Sequence, residues 1–196
     1  MRIQFVLATL AFAGVAFAQS DAFQVRYASN LNVADSVINI TNAGTQGGTA
    51  ATGTICANVY TFDPAEELVS CCACSVTPNG LVSLSVKGSL ISNTLTPGVP
   101  TSVVVKLLAT QQASCNASSP TADVLASGMR AWGTTVHVLP TTPGGFALTE
   151  TAFSQATLSA GELAHITSFC GFIQANGSGF GICKGCAPGG LGAVSQ

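Results

Sequence analysis

Charged residues are scarce in this sequence. Six Lys and Arg and eight Asp and Glu make up 7% of 196 residues, against about 25% in ordinary soluble proteins. The net charge is −2 and the few basic residues form no run. Nucleic acids and anionic membrane surfaces are bound through clustered Lys and Arg side chains. The sequence therefore predicts no nucleic-acid partner.

Residue patterns of known catalytic sites are also missing. The only histidines are His137 and His165, and we interpret both as structural residues. The sequence contains no G-x-S-x-G, H-E-x-x-H or G-x-x-x-x-G-K motif. Glu66 and Glu67 are adjacent in a predicted solvated turn, so they cannot easily flank one glycosidic bond as a glycosidase pair does. We predict no catalytic, cofactor-binding or metal-binding residues.

Long apolar runs are missing beyond the first eighteen residues. Arg2 precedes an apolar stretch at 3–15, and Ala-Phe-Ala at 16–18 is the small-x-small pattern that signal peptidase cleaves. The run is shorter than the ~20 residues of a membrane-spanning helix. We therefore predict a signal peptide at 1–18 and a mature chain that begins at Gln19. This protein would be secreted, to the periplasm, the cell envelope or the extracellular space, with no transmembrane segment after cleavage.

Cysteine, in contrast, is abundant. The sequence has eight, all beyond the predicted cleavage site. In an oxidising compartment an even number favours disulfides, with 105 possible pairings for eight residues. We predict that disulfide formation is their main role. The candidates are Cys56, Cys71, Cys72, Cys74, Cys115, Cys170, Cys183 and Cys186.

One disulfide is predicted from strand register. If the turn between two predicted strands centres on Ala65, Cys56 lies opposite Cys74, and these two residues would form a cross-strand disulfide. A one-residue slip would abolish this pairing. Because strand side chains alternate between faces, Cys72 shares a face with Cys74, whereas Cys71 points away.

The last two cysteines have the C-x-x-C spacing of thiol oxidoreductases. In those enzymes the first cysteine lies at a helix N-terminus, and no helix can begin on the Ala-Pro-Gly-Gly at 187–190. A metal-binding or thiol-redox role for the two cysteine clusters stays open as the alternative. Those clusters are Cys71, Cys72 and Cys74, and Cys183 and Cys186.

Short segments rich in Val, Ile and Thr recur between Gly, Pro and Asn residues. This pattern is typical of an antiparallel sandwich or barrel. We predict one cysteine-rich, mainly β domain at 19–196, an antiparallel β-sandwich-like fold with several disulfides and one C-terminal helix. The predicted strands are 35–42, 54–62, 68–76, 81–86, 102–109, 130–139 and one more within 146–158.

The predicted helix covers residues 160–175. Ser159 with Glu162 three residues later forms a capping box, and Asn176-Gly177 is typical of a left-handed C-cap. Its predicted apolar face follows helical spacing. That face consists of Leu163, Ile166, Phe169, Cys170 and Ile173.

The blocks CANVY, FDP, SCCAC and VTPNGL lie within residues 56–109. On these blocks the chain resembles an uncharacterised family of secreted, cysteine-rich bacterial proteins. The resemblance implies a bacterial envelope or extracellular setting and transfers no catalytic residue.

These observations favour a secreted, non-enzymatic structural, adhesive or surface-assembly protein. Its predicted partner is a second copy of itself or a cell-surface or matrix polymer, because a weakly charged β surface lacks the edge charges that block strand addition. A secreted hydrolase whose polar residues converge only in the fold stays open as a further hypothesis.

Overall fold

In the computed structural model, which describes residues 21–186, the regular structure consists of nine β-strands, two α-helices and three short 3-10 or π-helical segments. The predicted signal peptide and the residues after Cys186 lie outside this range. The strands are β1 (Phe23–Ala28), β2 (Val37–Asn42), β3 (Ile55–Phe62), β4 (Leu68–Val76), β5 (Leu81–Ser85), β6 (Val103–Gln111), β7 (Met129–Val138), β8 (Phe146–Ala152) and β9 (Ser154–Gln155); the helices are α1 (Ala50–Gly53) and α2 (Ala160–Asn176).

The strands form two antiparallel sheets. The first sheet has the order β4-β3-β6-β1-β9, and the second has the order β5-β2-β7-β8. The prediction of a mainly β, sandwich-like fold with one C-terminal helix and several disulfides is confirmed. Among the described residues, neither helix has the length and apolar character that a membrane span requires.

One hydrophobic core lies between the two sheets. Strand β2 shows why: Ile38 and Ile40 are fully buried, whereas Asn39 and Thr41 on the other face are partly exposed. Alternate residues of β3 and β6 meet them from the first sheet, among them Val59 and Leu107. This alternation is the pattern that identified the strand in the sequence.

A second core lies between the first sheet and α2. Tyr60 and Phe62 of β3 point to this side and pack with Ile166, Cys170 and Ile173 of the helix. Because β3 is covered on both faces, all eight of its residues are buried. The helix therefore makes the sandwich a three-layered structure.

Helix α2 begins at the predicted Ala160 and ends at Asn176, one residue after the predicted end. The Ser159 hydroxyl accepts a hydrogen bond from the Glu162 N–H at 3.1 Å, but the Glu162 carboxylate bonds Lys106 instead of completing the box. Gly177 has φ +67 and caps the C-terminus in the left-handed conformation. Phe169 is 51% exposed, so its place on the apolar face was wrong: at about 100° per residue it lies roughly 70° from the middle of the stripe formed by Ile166, Cys170 and Ile173, at the edge of that face.

The segment predicted to hold one more strand contains two. Strand β8 pairs with β7 in the second sheet, and β9 pairs with β1 in the first. Between them Phe153 is buried in the inter-sheet core, and its N–H donates to the carbonyl of Ala131. The chain crosses from one sheet to the other at this residue.

Strand β1 is not among the predicted strands. Its apolar residues Phe23 and Val25 contact the α2 side, while Gln24 and Arg26 are buried at 3% and 6% exposure. Gln24 is satisfied by the carbonyls of Asp21 and Met129. Two polar side chains on the buried face obscured the strand in the sequence.

Candidate functional site

The outer edge of the first sheet, along β4, is covered by the chain that follows α2. The Cys71 N–H donates to the Gly181 carbonyl at 2.8 Å, and the Cys183 N–H donates to the Cys71 carbonyl at 3.3 Å. The Val69 carbonyl accepts the Leu95 N–H at 3.0 Å. The Val69 carbonyl and both backbone groups of Cys71 are therefore already bonded and cannot pair with another strand.

Disulfides fasten the same edge covalently. Cys72 is bonded to Cys183, and Cys74 to Cys186. Cys71 points to the opposite face, as predicted, and joins α2 through Cys170. The fourth disulfide, Cys56–Cys115, joins the start of β3 to the segment after β6. All eight cysteines are paired.

The predicted Cys56–Cys74 disulfide is wrong. Next to the turn Phe62 pairs with Leu68, a register that does centre on Ala65. A bulge between Thr61 and Phe62 then shifts the register by one residue, so that Cys56 lies opposite Ser75 and Cys74 opposite Ala57. Because a shift of one residue reverses the face of every later side chain, Cys56 and Cys74 are on opposite faces of the sheet.

The outer edge of the second sheet, along β8, is different. Within residues 21–186 this strand pairs only with β7. The Leu139 N–H donates to Gly145 and the Phe153 N–H to Ala131, two pairs in the register of the β7–β8 ladder. Since hydrogen-bonded pairs alternate in an antiparallel ladder, the odd-numbered residues of β8 bond β7. The backbone groups of Leu148 and Glu150 therefore point away from the sheet.

Apolar side chains are exposed beside this edge. Phe146 and Leu148 share one face of β8 and are 43% and 51% exposed, and Val138, directly opposite Phe146 on β7, is 50% exposed. We call Val138, Phe146 and Leu148 the β8 patch. All seven residues of β8 are exposed, and Glu150 is its only charged residue. This edge combines free backbone groups with apolar side chains and little charge.

Titratable groups meet in one shallow cleft of about 340 Å³. Lys106 Nζ lies 2.6 Å from Glu162 Oε1 and 4.5 Å from the ring centroid of Phe62. Asp63 is occupied by its own turn, because its carboxylate accepts the N–H groups of Ala65 and Glu67. Lys106 and Glu162 therefore form an ion pair, and Asp63 stabilises the β3–β4 turn.

Both histidines contact neighbouring side chains. The ring of His165 packs at 4.6 Å from Phe169 and at 6.0 Å, edge to face, from Phe62. His137 Nε2 is 2.8 Å from the Thr149 hydroxyl. That pair lies exposed on the β7–β8 hairpin.

Two buried polar groups have shifted pKa values. Burial raises the pKa of Tyr60, whose hydroxyl donates to the Ala117 carbonyl at 2.7 Å. Burial also lowers the pKa of Arg26. Its Nη2 donates to the hydroxyls of Thr135 and Thr151, and its Nε and Nη1 have no hydrogen-bond partner within the described part of the chain.

Sequence reasoning identified the cysteines but missed the β8 edge. The segment FALTETA contains the apolar and Thr residues that are common in strands, but its position at the end of a sheet depends on the topology. The one available signal was the near absence of charge. No protein-family model, curated protein or solved structure matches this chain, so its function is inferred from its own residues.

Proposed function

We propose that this protein is a secreted, non-enzymatic structural or surface-assembly component that associates through the edge of β8. The observation that carries the proposal is the contrast between the edge strands: β4 is bonded to the following chain, whereas β8 presents free backbone groups beside the β8 patch. Predicted export and the resemblance to secreted, cysteine-rich bacterial proteins support the extracellular setting, and disulfides are stable there.

The partner that fits this edge is a second copy of the chain. Two β8 strands can pair antiparallel about a two-fold axis, with each outward-pointing residue facing another. A register centred on Thr149 places Leu148 opposite Glu150 of the second copy and Phe146 opposite Ala152. The two Glu150 carboxylates are then not directly opposed, which avoids the repulsion of like charges across strands.

Such a pairing would join two second sheets into one continuous sheet. It would satisfy the outward N–H and C=O groups of Leu148 and Glu150 and bring the two β8 patches close together. Because the contact is isologous, it ends at a dimer. That dimer would be the unit from which a larger surface layer is built, or which binds a polymer.

The experiment is sedimentation of the oxidised, mature chain over a wide concentration range. We expect a monomer–dimer equilibrium that persists when the salt concentration is raised, because the contact is not ionic. Leu148→Lys places a charge in the middle of the edge and should yield a monomer. Leu148→Pro removes an N–H that points away from β7, so it should also yield a monomer while the hairpin stays formed.

The matched control is Val99→Lys. Val99 is 68% exposed on a loop, so this variant changes the same charge at a site away from β8 and should dimerise like the wild type. A monomer at every concentration, with no binding to cell-wall or polysaccharide fractions, would contradict the proposal. If a monomer binds a polysaccharide fraction, an adhesive function is supported and the proposed β8 dimer is rejected.

A further inference from the structure

Four sulfur atoms meet at the closed edge of β4. The Sγ atoms of Cys72, Cys74 and Cys186 all lie within 4.8 Å of one another, and Cys183 is bonded to Cys72. Cys72 and Cys74 come from one face of β4, and the two others from the chain that follows α2. Two neighbouring disulfides thus form one cluster.

The backbone brings these residues together independently of the sulfur bonds. The parallel bridge between Cys71 and Ile182, with its two hydrogen bonds, holds the later segment against β4. Gly185 at φ +108 and Cys186 at φ +74 then turn the chain back towards the strand. Between Cys183 and Cys186 the Lys184 N–H donates to the Ser89 carbonyl, which gives the segment a further anchor.

We propose that Cys72, Cys74, Cys183 and Cys186, when reduced, form one tetrathiolate site for a thiophilic cation of the Zn²⁺ class. A tetrahedral site with metal–sulfur bonds of about 2.3 Å needs sulfur atoms roughly 3.8 Å apart. Cys72 Sγ lies within 4.8 Å of the bonded Cys74 and Cys186 sulfurs, so reduction of the disulfides leaves the thiols close enough to reach that spacing. Thiolate sulfur is the ligand type that selects such ions.

Cys71 does not belong to this site, although the sequence groups it with Cys72 and Cys74. It points to the opposite face of the sheet and is bonded to Cys170 in the core beneath α2. The ligand set therefore combines C-x-C on a strand with C-x-x-C on the following segment, and neither pair is sufficient alone.

The metal and the disulfides use the same four sulfurs. Reduction of the two disulfides takes up four electrons and four protons, which two equivalents of a small dithiol supply as each is oxidised to a disulfide. Binding of M²⁺ then displaces the thiol protons. In either state the segment after α2 stays fastened to β4, so this inference does not depend on the proposed β8 assembly.

The test is an anaerobic titration of the reduced, full-length chain with Co²⁺. We expect thiolate-to-cobalt charge-transfer absorption and the visible bands of tetrahedral Co²⁺, complete at one ion per chain and lost when Zn²⁺ is added. Cys72→Ser/Cys183→Ser removes two ligands and should lose this spectrum. Cys56→Ser/Cys115→Ser removes a distant disulfide and should retain it.

A second measurement does not need a variant that folds. The reduced wild-type chain is reoxidised with and without one equivalent of Zn²⁺, and the disulfides are mapped by mass spectrometry. We expect Zn²⁺ to delay Cys72–Cys183 and Cys74–Cys186 but not Cys71–Cys170. Equal delay of all three, or a cobalt spectrum that survives in Cys72→Ser/Cys183→Ser, would overturn the proposal.

Discussion

The edges along β4 and β8 have the same backbone chemistry and opposite surroundings. At β4 the outward groups of Cys71 bond the chain that follows α2, and three disulfides leave this strand. At β8 no strand within residues 21–186 pairs with the outward groups of Leu148 and Glu150. Natural sheets protect their edges because an open edge pairs with other chains. Because the β4 edge is protected and the β8 edge is not, we infer that β8 is the strand through which the protein associates.

Removing the disulfides at the β4 edge should have the largest effect on stability. Replacing Cys72 and Cys183, or Cys74 and Cys186, by Ser should each lower the free energy of unfolding by about 2–5 kcal/mol, because these bridges close loops of more than one hundred residues. Without both pairs the segment keeps only its backbone hydrogen bonds to β4, so it should detach transiently and expose that edge. Thermal unfolding together with sedimentation measures both effects: the melting temperature falls, and association beyond the dimer appears.

Cys56→Ser/Cys115→Ser is the control for this comparison. It removes a disulfide of comparable role and leaves the segment on β4, so the protein should lose stability without forming larger assemblies. Larger assemblies in the control as well would mean that they follow from lost stability and not from an opened β4 edge.

High pH should lower the free energy of unfolding through Tyr60, which lies in the core between the first sheet and α2. Burial raises the pKa of Tyr60, so the folded protein retains this proton when an unfolded tyrosine, with a pKa near ~10, has lost it. The stabilisation is therefore complete below pH ~10 and declines as the pH rises further, by about 1.4 kcal/mol per unit. Denaturant unfolding between pH 8 and 11 measures this decline.

Tyr60→Phe should remove that part of the alkaline loss. At neutral pH the variant should be less stable by about 1 kcal/mol, because the Ala117 carbonyl loses its donor. Tyr27→Phe is the matched control, since Tyr27 is 59% exposed. An unchanged pH dependence in Tyr60→Phe would contradict the assignment of the buried hydroxyl.

Arg26 contacts Thr135 of β7 and Thr151 of β8. Its substitution should have the smallest effect on the free energy of unfolding. Its guanidinium is buried with two nitrogen atoms unpartnered, and neither ion pair of the described residues includes it. Arg26→Met removes a desolvated charge and keeps much of the side-chain volume. We expect a free energy of unfolding equal to the wild type or higher by about 1 kcal/mol. A loss of more than about 1 kcal/mol in urea unfolding would show that the two threonine hydrogen bonds outweigh desolvation.

The sequence predicted the fold where side-chain alternation is strong. Strand 68–76 has the predicted bounds, and Ile38 and Ile40 point to the core as their spacing indicated. Prediction failed where tertiary contacts allow polar side chains to be buried. On the buried face of β1, backbone carbonyls satisfy Gln24 and threonine hydroxyls accept hydrogen bonds from Arg26 Nη2, and no local pattern reveals such partners.

The candidate site depends on still longer-range information. The disulfide partners of Cys72 and Cys74 lie more than one hundred residues away, and the bulge at Thr61 is a single-residue event that altered every pairing beyond it. The position of β8 at a sheet end follows from the order of all the strands. Sequence alone could predict that the cysteines form disulfides and that the chain carries little charge, but not which cysteines pair or that β8 lies at a sheet edge.

Amide hydrogen exchange compares the two edges in one experiment. At low protein concentration the N–H of Cys71 should exchange slowly and the N–H groups of Leu148 and Glu150 rapidly, because only the first is hydrogen-bonded. At high concentration the two β8 amides should become protected as copies pair, while Cys71 is unchanged. Slow exchange of Leu148 in the monomer, or fast exchange at concentrations where the dimer predominates, would contradict the account.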